Sequence, residues 1–359
     1  MLTDVFARRY AQYPIWQNYT ATESGLLVQC MGVAKDVLPY YSSEGQVIEH
    51  QKAKWKSIHE RLARELGVAE LWPRIYRYTT KNFQGIEVPM THTNEWVSMC
   101  EMFVTFKYHP QVHADIPVDR YMKERLSLIE LVMRHRQIEV SASNNLLEQQ
   151  IRDAVLKAKQ RPPAGVIRIP GDPEVGLRAA NASMNGTFNA AVEELNVRFQ
   201  QAGVPLSYHN GFIQVVTDKQ VEAQISEPFW AAIADAKWQN VALDMNEALD
   251  RRDRGAGDAA WYACRALESA IKIISDLKNW TLGTERGAHN YIENLVADRA
   301  GTRFIEKFEM DVLKPYFTHV RNQFGHGPGV DPMPNFTAAQ TDWAIEFAMS
   351  WVRTLVRRF

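Results

Sequence analysis

The chain has 359 residues, 46 % of them hydrophobic and 11 % aromatic, with a formal net charge of −1. Its length suits two or three domains of roughly 100–200 residues, and its composition excludes a disordered chain. The near-zero charge excludes a uniformly basic nucleic-acid glove, so any such site must be a local patch.

From about Gly45 to Leu66, Val47, Ile48, Trp55, Ile58, Leu62 and Leu66 recur at helical spacing, and Gly67 is the expected stop. Lys52, Lys54 and Lys56 scatter around this helix and read as solvated charge. Between Met90 and Tyr108, Trp96, Met99, Phe103 and Phe106 read as core at three- and four-residue steps. Asp119 to Val140 reads as a long helix with Tyr121, Leu126, Ile129, Val132 and Met133 on its apolar face. Asn144 or Asn145 is expected to cap a following helix, which must stop by Arg161 because Pro162 and Pro163 forbid continuation. Pro162 to Pro173 is the expected domain boundary, with a short strand at Val166–Ile169. Pro173 to Gln201 returns to helix.

Leu206, Tyr208, Asn210-Gly211, Phe212, Ile213, Val215 and Val216 predict a hairpin. Asn-Gly suits a tight turn whose central residues need positive φ. The last third is helical. It holds a segment from Pro228 to Leu249 and a helix from an Asp258 cap through Lys278. Shorter helices follow near His289–Asp298 and Phe304–Phe324, the latter broken near Pro315. A final helix over Ala338–Arg358 is expected to turn Trp343, Phe347, Trp351, Val352 and Leu355 inward.

Cys30, Cys100 and Cys264 form no CxxC pair and fit a reducing compartment. No run approaches the ~18 apolar residues of a membrane span, and residues 1–10 lack a secretory apolar core. A cytoplasmic protein without membrane contact is expected. His109 and His113 are four apart, but Pro110 between them and the lack of a third ligand make them loop histidines. His289 and His319 read as surface or core groups. Lys307 and Lys314 read as solvated charge, and Arg353, Arg357 and Arg358 form a compact basic cluster. No cofactor or metal motif is present, and none is expected.

The stretch Arg321-Asn322-Gln323-Phe324-Gly325-His326-Gly327 carries the chemistry. His exchanges protons near its unperturbed pKa of about 6.5. Arg is permanently charged and forks onto phosphate oxygens, and Asn can orient either. These groups suit RNA cleavage, in which the 2′-hydroxyl attacks the adjacent phosphorus. On one continuous helix, Arg321 and His326 would lie ~140° apart. A helix ending near Phe324 or Gly325 frees His326 to fold back.

The region from about Asp244 to Arg358 resembles the HEPN superfamily, in particular the C-terminal HEPN domains of bacterial abortive-infection (phage-defence) proteins. The resemblance rests on Asp258 through Lys272, which includes Trp261, Cys264, Leu267 and Glu268, and on Arg321 through Gly327. The Glu227-Pro228-Phe229-Trp230 entry is also similar, and Phe6 through Tyr10 is similar to the start of the N-terminal domains paired with such bundles.

The resemblance implies a dimerising helical bundle and a metal-independent endoribonuclease with an Arg-x4–6-His motif. Arg321 and His326 would be catalytic, Asn322 their polar neighbour, and Glu268 a supporting acid. The expected architecture is mainly α: a helical N-terminal domain over 1–163, a connecting region with one small hairpin over 164–240, and a HEPN-like bundle over 241–359. Expected partners are RNA, a second copy of the chain and a trigger sensed by the N-terminal region. Two alternatives stay open: an inactive dimerisation or RNA-binding module, and a nucleotide-binding partner of a nucleotidyl transferase.

Overall fold

The computed structural model describes residues 5–159, 172–209, 211–216, 218–321 and 336–359. The protein is mainly α-helical, as expected, and its contacts divide it into two compact units, one running to Ile213 and the other from Gln214 to Phe359.

The N-terminal unit opens with the short helix α1 (Phe6–Arg9) and then α2 (Ala21–Val37). Thr20 and Glu23 form a reciprocal capping box at the start of α2, which satisfies two otherwise orphaned backbone donors. Helix α3 (Glu49–Leu66) starts later than the apolar pattern suggests, and it stops at Gly67, whose φ of +75° favours glycine. Strands β1 (Ile75–Lys81) and β2 (Glu87–Thr93) form an antiparallel hairpin that the sequence reading does not anticipate. Nearly every residue of the hairpin is exposed.

Helix α4 (Trp96–Thr105) buries Met99 and Phe103, two of the expected core residues. It leads to α5 (Val118–Lys159), one continuous helix of 42 residues. Asn144 is therefore mid-helix and caps nothing. Its side chain instead accepts from Asn181 and Asn185, each at 2.8 Å, on α6 (Pro173–Gln201). The expected strand at 166–169 lies outside the described residues. Strands β3 (Leu206–His209) and β4 (Phe212–Val215) form the predicted hairpin, and Gly211 supplies a positive φ of +95°.

A buried charge cluster ties this unit together. Glu130 on α5 is fully buried; it accepts from Arg9 Nη1 at 3.0 Å, Arg134 Nη2 at 2.7 Å and the Ile213 amide at 2.8 Å. Arg9 also donates to Ile213 O at 2.9 Å, and Arg134 Nε donates to Gly211 O at 2.7 Å. Both guanidinium groups lie over the Phe212 ring, at 4.9 and 4.3 Å. Satisfying the charges in this way is what makes their burial tolerable.

The C-terminal unit is a helical bundle. After α7 (Lys219–Val221) and a π-helical turn at Glu222–Ser226 come α8 (Glu227–Ala232) and α9 (Gln239–Asp253). The expected single segment over Pro228–Leu249 is therefore interrupted, and Asp235 caps a 3-10 turn at Ala236–Trp238. Helix α10 (Ala259–Leu277) is the centre of the bundle. Ala260, Ala263, Ala266 and Ala270 have no exposed surface, and such small residues let neighbouring helices approach closely. Asp258 precedes α10 but does not cap it, because its carboxylate accepts from Arg251 at 2.6 Å instead.

Around α10 pack α9, α11 (Ala288–Val296) and α13 (Ala338–Arg358), with α12 (Lys307–Tyr316) against α11. Thr337 and Gln340 form the capping box of α13. Val352 and Leu355 are buried as expected. Trp343 is not: it is 53 % exposed and lies against the Phe347 and Tyr316 rings. Among the described residues, no helix is long and apolar enough to cross a membrane.

Candidate functional site

The site is built where the chain leaves α12. Pro315 lies inside that helix and lacks the N–H for one rung of its ladder. Directly after it, Phe317–Arg321 form a π-helical turn, a local widening often found at functional positions. Phe317 and Val320 point into the core, which leaves Arg321 at its edge. Tyr316 anchors the turn: it is buried, its hydroxyl donates to Ala344 O at 2.7 Å, and its ring stacks on Phe347 at 4.4 Å.

Arg321 Nε pairs with Glu268 Oε2 at 2.9 Å. Glu268 projects from α10, and its side chain is 8 % exposed while that of Arg321 is 35 % exposed. Lys272, one turn further along α10, pairs with the other oxygen of Glu268 at 2.8 Å, and its side chain is 43 % exposed. One buried carboxylate thus orients two cations that both reach solvent. The group carries a net positive charge and can attract an anion such as a phosphate.

Neighbouring groups are held neutral or tied up. Burial pushes the Cys264 thiol up to about 12, so it is no nucleophile near neutral pH. Burial also raises the Asp244 carboxyl, while Arg265 at 3.0 Å opposes that shift. Nothing in the local sequence around Asp244 announced this environment.

Of the sequence-predicted site residues, the structure brings Arg321 and Glu268 together. Asn322 and His326 lie outside the described residues. His289 is exposed, and its ring nitrogen lies 3.2 Å from Lys314 O; His319 is exposed on the π turn. Lys314 pairs with Glu293 at 2.7 Å. The C-terminal basic cluster is partly engaged internally: Arg353 donates to Gln224 O at 2.7 Å, and Arg358 pairs with Glu309 at 2.7 Å. His113 and His109 sit in a loop, with the His109 amide donating to His113 Nδ1 at 3.0 Å. Among the described residues, no cluster of three or more His, Cys, Asp or Glu is placed to hold a metal.

These features define a mainly helical, two-unit protein with a cationic cluster on its C-terminal bundle. Comparison with known proteins gives the family. The model described as AbiJ N-terminal domain 4 matches residues 4–231, and the chain belongs to that family, an abortive-infection family N-terminal domain. No curated protein and no solved structure gives a match.

Proposed function

We propose that this protein is a metal-independent endoribonuclease of the HEPN type that acts in abortive infection against phage. The observation that carries the reading is Arg321, the first residue of the Arg-x4-His motif, oriented by the buried Glu268 and still open to solvent. The abortive-infection family match over residues 4–231 supports the biological setting.

In this reading His326 moves protons. One leaves the 2′-hydroxyl as its oxygen attacks phosphorus, and one is delivered to the departing 5′-oxygen, leaving a 2′,3′-cyclic phosphate. Arg321 stabilises the charge that builds on the phosphoryl oxygens, usually the largest single catalytic contribution. Asn322 orients the pair, and Glu268 positions Arg321. Two copies meeting through the C-terminal bundle across a twofold axis would set two motifs side by side. The N-terminal unit would restrain the nuclease until a phage or host trigger is sensed.

A second reading has one observation in its favour. The pair with Glu268 already neutralises part of the Arg321 charge, as in an inactive bundle used for dimerisation or RNA binding. Incubating purified protein with total RNA in EDTA, wild type beside His326→Ala, separates the two. The nuclease reading expects cleavage by wild type that His326→Ala abolishes. RNA binding without cleavage, surviving both His326→Ala and Arg321→Ala, would support the inactive module.

A further inference from the structure

A groove of about 450 Å³ opens in the N-terminal unit between the segment after α3, helix α4 and the first turns of α5. Its walls are mostly apolar and include Leu71, Trp72, Phe103, Phe106, Val112 and Ile116. The Trp72 and Phe106 rings lie 5.0 Å apart. The volume falls within the roughly 300–1,000 Å³ usual for small-molecule sites.

Arg125 lines this groove and is only 6 % exposed. Its guanidinium is clamped 3.3 Å from the Tyr121 ring and 4.5 Å from the Phe103 ring. Its Nη1 makes two long hydrogen bonds, 3.3 Å to Tyr121 O and 3.4 Å to Glu124 Oε2. Its Nε is buried and has no partner. Glu124 pairs with Arg125 only at that 3.4 Å distance, since its other oxygen accepts from Arg120 Nε at 2.7 Å. A buried charged donor left unsatisfied is costly, and such groups call for a missing acceptor.

We propose that the groove binds a small organic monoanion, with its carboxylate on the guanidinium of Arg125 and a flat apolar body against the Trp72 and Phe106 rings. A planar carboxylate matches the fixed fork of a guanidinium. Glu124 and the rim residue Glu70 line the same groove, and their charges oppose a dianionic phosphate. Nothing in this binding depends on the nuclease reading.

Calorimetric titration of the full-length protein with 1-naphthoate, 1-naphthalenemethanol and 1-naphthyl phosphate tests it. Naphthoate should bind one to one, and the neutral alcohol about tenfold or more weaker, because a charge-assisted hydrogen bond is lost. The phosphate should bind more weakly than the carboxylate. Arg125→Lys keeps a charge but loses the fork and should weaken naphthoate about tenfold. Arg125 is packed between rings and its variant can misfold, so Val112→Trp, at an exposed position on the rim, provides an independent arm and should obstruct naphthoate. Equal affinity for acid and alcohol, tighter binding of the phosphate, no binding at about 5 mM, or full affinity in Val112→Trp would each overturn the proposal.

Discussion

Glu130→Gln removes the one negative charge between two buried guanidinium groups. Arg9 is 2 % exposed, Arg134 9 % and Glu130 0 %, so water cannot take over the lost role. Breaking a buried ion pair by removing one partner costs about 3–5 kcal/mol, because it strands uncompensated charge. Two contacts survive the change, Arg9 to Ile213 O and Arg134 to Gly211 O. They place the expected loss at the lower end, about 3 kcal/mol. For a unit of this size, each kcal/mol shifts Tm by about 2–4 °C, so the N-terminal transition should fall by roughly 6–12 °C. Thermal melts followed by circular dichroism read this directly. A loss below about 1 kcal/mol would refute the view that this cluster joins α1, α5 and the β3–β4 hairpin.

Two further outcomes follow from the C-terminal bundle. In a double-mutant cycle of Glu268→Gln and Arg321→Met, urea unfolding should report a coupling of about 1 kcal/mol, below the buried-pair range because the Arg321 side chain reaches solvent; zero coupling would mean the pair does not position Arg321. The hydrogen bonds from Arg358 at 2.7 and 3.0 Å hold the Glu309 carboxyl below its ordinary range, against the effect of burial. A carboxyl whose folded pKa is depressed contributes stability above its unfolded pKa, which is lost as pH falls through the folded value. The bundle should therefore lose stability as pH drops below about 4.3, and Glu309→Gln should blunt that loss; parallel Tm–pH curves for the two proteins would count against it.

Local patterns exposed those parts of the fold that depend on neighbours in sequence. Gly67 ends α3, and the positive φ of Gly211 and the helices of the last third follow from turn chemistry and 3.6-residue periodicity. Asn144 misled because a polar residue near the middle of a long helix resembles a cap until its partners on α6 are known. The β1–β2 hairpin had a local signal in the aromatic and β-branched residues Tyr76, Tyr78, Thr79 and Thr80, followed by a turn at Asn82–Gly85. With both of its faces exposed, it lacks the alternation of apolar and polar residues that marks a half-buried strand. Trp343 shows the reverse failure, since its apolar periodicity does not tell the core side of α13 from its exposed side.

At the candidate site, the motif singled out Arg321 in the sequence, but its pairing with Glu268 was not legible there. The two residues belong to separate helical segments, and only tertiary packing brings them together. The same holds for Arg9, which is bound to Glu130 more than a hundred positions away. Arg125 is likewise unremarkable in sequence; only the rings packed on it and the groove it lines set it apart.

The central claim is the chemistry of RNA cleavage, and the ends of the products test it most directly. Total RNA treated with the wild-type protein in EDTA should carry 2′,3′-cyclic phosphate and 5′-hydroxyl ends at its cut sites, and Arg321→Ala should remove those cuts. Cuts ending in 3′-hydroxyl and 5′-phosphate, or the same cuts made by Arg321→Ala, would contradict it.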